Sequence, residues 1–144
     1  MWIGGRRSDA NVAHRLAFAR ASRERDVKRP EQILARSVAE YLALCLPSTV
    51  YFSAINPVPG KSKAAAAISK ALGMKAGIPD YIIVHNGIVH FVELKSAKGG
   101  LSTNQRIAHA AIVSAGGHVA VTRSLDELQA QLRFWKIPLQ VRML

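Results

Sequence analysis

In GIPDYIIVHNGIVHFVELKSAKGG, residues 77–100, Asp80 opens one apolar run and Glu93 closes the next, with Lys95 two positions further on. The whole chain of 144 residues has only nine acidic residues, so two of them framing apolar strands ask for a chemical reason. Asn-Gly between apolar runs signals a two-residue β-hairpin, because both turn positions need φ > 0. With Asn86 and Gly87 as the turn, paired positions sum to 173: His85 faces Ile88, Ile83 faces His90 and Asp80 faces Glu93. Alternation from a hydrogen-bonded closing pair puts Asp80 and Glu93 at a non-hydrogen-bonded pair, where side chains approach closest. Lys95 then shares their face of the sheet.

Two carboxylates opposed at ~5 Å repel by about 3 kcal/mol at an effective dielectric of ~20. A shared proton, a bridging basic side chain or a divalent cation relieves that repulsion. Bridging by Lys95 would make a purely structural ion cluster. A cation uses more of the pattern, since paired hard oxygen donors with room for water and a phosphate oxygen suit Mg²⁺.

A third carboxylate belongs to the helix expected from RPEQILARSVAEYLALCLP, which starts at Pro30 and ends at Pro47. At the helical period Leu34, Ala35, Val38, Leu42 and Cys45 form one face; Glu31 lies within it and Glu40 points away. A carboxylate on a core-facing stripe is costly without a partner. Glu31 therefore either joins Asp80 and Glu93 over the open end of the hairpin or is a first-turn glutamate favoured by the helix dipole.

The remaining elements must hold these groups. TVYFSAI (49–55) reads as a strand, KSKAAAAISKALG as a helix closed by Gly73, 80–84 and 88–95 as the hairpin strands. LSTNQRIAHAAIVSAGG is a helix, HVAVTR a strand, and SLDELQAQLRFW a helix with Ser124 and Glu127 spaced as a capping box. The closing IPLQVRML adds an edge strand or packs. This order gives an α/β domain, a mixed sheet flanked by helices. Residues 1–29, with eight basic and three acidic residues, form a basic arm, partly helical through about 10–25. The fragment PGKS is not a phosphate loop, because Ile55 stands where the first glycine is needed.

Twenty Lys and Arg give a net charge of +11, which favours nucleic acid as partner over an anionic membrane surface. No apolar run approaches the ~20 residues of a membrane span, and the N-terminus lacks the apolar centre of a secretory signal. Cys45, the single cysteine, makes no internal disulfide and reads as a small buried hydrophobe. The expected compartment is the cytoplasm.

GIPD, with ELK thirteen residues after its aspartate, resembles the signature of the PD-(D/E)XK nuclease superfamily. The longer string GIPDYIIVHNGIVHFVELKSAKGGLSTNQ looks like the VRR-NUC family within it, as do Glu31 in EQILARSVAEYL and AIN before a lysine-rich helix. The likeness covers about residues 30–138, with the nuclease domain expected over 30–144 and a restriction-endonuclease-like sheet at its centre.

The resemblance implies a Mg²⁺- or Mn²⁺-dependent phosphodiesterase acting on DNA. Asp80 and Glu93 would ligate the metal, Glu31 would assist through a second site or a water, and the Leu94 carbonyl would be a further ligand. Lys95 would orient the attacking water and offset phosphate charge. Gln105 matches a downstream glutamine that contacts the site or the DNA backbone, yet it also stands three residues after Ser102, as a capping box requires. His109, one turn beyond, could reach a phosphate or be an ordinary surface histidine. Lys61, Lys63, Lys70, Lys75, Lys98 and Arg106, with the arginines of the arm, are the expected phosphate-backbone contacts. Small stand-alone members of the family resemble Holliday-junction resolvases and work as homodimers, so branched or flapped DNA is the expected substrate. A non-catalytic DNA-binding accessory module and a nuclease on ordinary duplex are the alternatives.

Overall fold

The computed structural model describes residues 30–55 and 62–140, so the basic arm and Lys61 lie outside the described residues. Apolar periodicity sets the elements in the expected order: α1 (Pro30–Cys45), β1 (Tyr51–Ala54), α2 (Lys63–Ala71), β2 (Tyr81–His85), β3 (Ile88–Leu94), α3 (Thr103–Ser114), β4 (His118–Thr122) and α4 (Leu125–Phe134). The strands form one mixed sheet in the order β1-β2-β3-β4, antiparallel except for the parallel β3–β4 pair. This is an α/β fold. No helix among the described residues is long and apolar enough to cross a membrane.

Asn86 and Gly87 have φ of 50° and 74°, the two left-handed positions that a tight hairpin turn demands. The register follows: His85 pairs with Ile88, Ile83 with His90 and Tyr81 with Val92. Strand alternation then divides the sheet. Tyr81, Ile83, Val92 and Leu94 are buried against Val38 and Leu42 of α1 and Leu128 and Leu132 of α4. The Tyr81 hydroxyl donates to the Ala35 carbonyl at 3.1 Å, tying the hairpin to α1. Glu93 faces the other way, towards α3.

Two local expectations are corrected. Ser124 caps α4 through the Glu127 N–H, but the Glu127 carboxylate accepts from Arg123 N at 2.7 Å, so the box closes one residue early. Of the two outcomes expected for the C-terminal segment, residues 137–140 pack: Ile137 is buried, and Gln140 donates to the carbonyls of Cys45 and Leu46. Cys45 is half-buried.

Candidate active site

The hairpin ladder ends at Tyr81–Val92, one step short of Asp80 and Glu93. Continuing it would pair Leu94 with Pro79, which has no N–H to donate. Beyond the ladder the Asp80 side chain crosses to β3: its Oδ2 accepts the Leu94 N–H at 2.7 Å, while the Asp80 carbonyl accepts from Ile55 N at 2.8 Å. Asp80 and Glu93 are thus neighbours beyond the ladder rather than a cross-strand pair within it.

Glu93 is 2% exposed. Its Oε1 accepts from Gln105 Nε2 at 2.6 Å and lies 3.4 Å from Lys95 Nζ. Its Oε2 stands 3.6 Å from His109 Nε2, and both atoms are buried without a hydrogen-bond partner. Burial, the Asp80 charge and then Glu31 push the Glu93 carboxyl up to about 7, against the opposing pull of Lys95. Asp80 is also raised, first by burial, with the Leu94 N–H and Lys95 resisting. The site holds more negative charge than its lysine offsets.

Gln105 both caps α3 and touches Glu93. Its Oε1 accepts from Ser102 N at 2.9 Å and Ser102 Oγ accepts from Gln105 N, completing the capping box of α3, while Nε2 is left to hold Glu93. One turn on, His109 is no surface residue: its side chain is 12% exposed and aimed at Glu93. The spacing of four from Gln105 put both on one helical face, but only the placement of α3 showed that this face covers Glu93.

Glu31 is exposed, contrary to its position on the apolar stripe. Its Oε1 accepts from Ser96 N at 3.2 Å, which pins the helix start to the loop after β3. Gly99 makes room for this contact, since a Cβ there would stand 3.4 Å from Glu31 Oε1 and 2.9 Å from Ser96 Oγ.

No family model, curated protein or solved structure matches this chain. Asp80 and Gln105 line a cleft of about 700 Å³ running between α2 and the start of α3. Lys70 and Lys75 also line it, with Gly73, Met74 and Gly77. Lys63, Lys98 and Arg106 are exposed but stand outside its lining. Among the described residues no three His, Cys, Asp or Glu side chains converge closely enough to enclose a metal ion. The pair of acids, the orphaned Glu93 Oε2 and the unpaired excess of negative charge nevertheless fit a hard cation that takes part of its shell from water and phosphate.

Proposed function

We propose that the chain is a metal-dependent endonuclease that hydrolyses DNA phosphodiester bonds, with branched DNA such as a four-way junction as its preferred substrate. The observation that carries this reading is the meeting of Asp80, Glu93 and Lys95 beside a cleft lined by Lys70 and Lys75, with a buried Glu93 oxygen left unpartnered. Asp80, Glu93 and the Leu94 carbonyl would hold Mg²⁺ or Mn²⁺. When bound, the ion supplies Lewis acidity, a lowered pKa for its water and compensation for charge developing on oxygen.

The chain's own groups do the rest. Lys95 Nζ, fixed beside Glu93, orients the attacking water and balances the phosphate. Gln105 holds the Glu93 carboxylate in one orientation through a hydrogen bond that α3 anchors at its own cap. Glu31, tied to Ser96, adds negative potential at the site's edge and can accept from a water there. Lys70 and Lys75 draw the phosphate backbone into the cleft without reading sequence. Paired nicks on opposite strands need two such sites, which two copies of the chain would provide.

The test is cleavage of end-labelled four-way-junction and matched linear duplex DNA with Mg²⁺, Mn²⁺ or EDTA, comparing wild type with Lys95→Ala. Metal-dependent paired nicks in the junction, reduced at least a hundredfold by Lys95→Ala, are expected. Equal cutting of both substrates would keep the nuclease and remove the junction preference. Junction binding with no cutting under any metal would overturn catalysis in favour of a binding module.

A further inference from the structure

On the opposite face of the sheet, away from the carboxylates, His90 of β3 and His118 of β4 are direct register partners. His90 is 2% exposed, one of the largest fully buried side chains of the core, whereas His118 reaches solvent. Their Nδ1 atoms lie 3.2 Å apart, with the rings 4.9 Å between centroids at 63°. Trp135, at the end of α4, packs on both, 4.6 Å from the His90 ring and 6.4 Å from the His118 ring. His85 lies on the same face, two positions along β2 from Ile83, the other register partner of His90. The nuclease reading uses none of these residues.

Two neutral imidazoles can share one Nδ1 hydrogen bond, but their spacing suits another occupant. Nitrogens each ~2.05 Å from a tetrahedral ion stand about 3.3 Å apart. The strand pairing and Trp135 already hold the two nitrogens at nearly that separation. Burial first, then the neighbouring His118 and His85, depress the His90 pKa to about 4, so its lone pair is available at neutral pH.

We propose that His90 and His118 form a second cation site, selective for imidazole-seeking transition metals such as Zn²⁺, Ni²⁺ or Cu²⁺ rather than Mg²⁺. Since no third His, Cys, Asp or Glu side chain completes a cluster among the described residues, water fills the remaining positions from the open His118 side. The ion fastens the edge strand β4 to β3 and adds stability that grows logarithmically with its free concentration above Kd.

Trp135 provides a local readout, because a bound Cu²⁺ quenches an indole a few ångströms away. In full-length Trp2→Phe protein, Trp135 is the one remaining tryptophan. Cu²⁺ is titrated in the presence of excess Mg²⁺, in this background alone and with His118→Val or His109→Ala added. His118→Val changes an exposed strand position, and circular dichroism checks that it folds. The expected result is saturable quenching that Zn²⁺ suppresses by competition, with a midpoint at least tenfold higher in His118→Val and unmoved in His109→Ala. Quenching that never saturates, or a midpoint that His118→Val leaves in place, would overturn the site.

Discussion

At the scale of single residues, Glu93 determines how the site behaves without metal. Its carboxyl, ordinarily near 4.5, is raised to about 7 in the folded protein. The folded state therefore binds more protons than the unfolded chain between these values. Its contribution to stability is fully present below about 4.5 and is lost as pH rises towards 7, on the order of 3 kcal/mol in all. Asp80, shifted the same way, adds to that slope. Thermal melts of the metal-free protein should fall between pH 5 and 7.5, and Glu93→Gln should flatten most of this fall and raise the melting temperature at pH 7.5. An unchanged slope in Glu93→Gln would show that its charge is compensated by something else. A bound divalent cation should reverse the trend by favouring the ionised pair.

At the scale of elements, α3 is the part that assembles the site, and Gly77 seats it. Gly77 has φ of +78°, and a Cβ there would fall 2.3 Å from the Asn104 carbonyl oxygen and 2.5 Å from Gln105 N. The backbone before Asp80 thus touches the backbone of the helix turn that carries Gln105. Gly77→Ala must push α3 away or strain the loop, and it should lower the melting temperature by several degrees and loosen the Gln105–Glu93 contact. Gly73 has a similar φ of +95° but open space around it. Gly73→Ala should cost only the left-handed backbone strain of about 1–2 kcal/mol, and cleavage should survive it. Comparing the two by melting and cleavage separates backbone strain from steric displacement; equal losses in both would remove the seating role of Gly77.

At the scale of the whole molecule, a charge of +11 favours any polyanion, and the cleft gives that attraction a direction. Replacing Lys70 and Lys75 together by alanine should weaken binding of every DNA sequence alike. It should also reduce the slope of log K against log salt by about 1.8, roughly 0.9 for each phosphate no longer neutralised. Fluorescence anisotropy between about 50 and 200 mM salt reads both. An unaltered slope would place the backbone elsewhere, with Lys63, Lys98 and Arg106 as the next exposed cations to replace.

Short-range physics made much of this legible in the sequence alone. Asn86–Gly87 can adopt the turn whatever surrounds them, so the hairpin register, and with it the nearness of Asp80, Glu93 and Lys95, was determined locally. The same holds for the stripe of α1 and the Ser102–Gln105 cap, which depend on neighbours three or four residues away. What only the tertiary structure decided lies across long separations. Whether Glu31 was buried depended on where the first turn of α1 ended relative to the sheet. Whether His109 met solvent or Glu93 depended on which face α3 laid down after an intervening loop. The Asp80 carboxylate accepts the Leu94 N–H, a contact between positions fourteen residues apart that is visible only once the strands are paired. Local pattern sets conformation through neighbouring atoms, whereas the contacts that tune Glu93 arise from packing that no short segment encodes by itself.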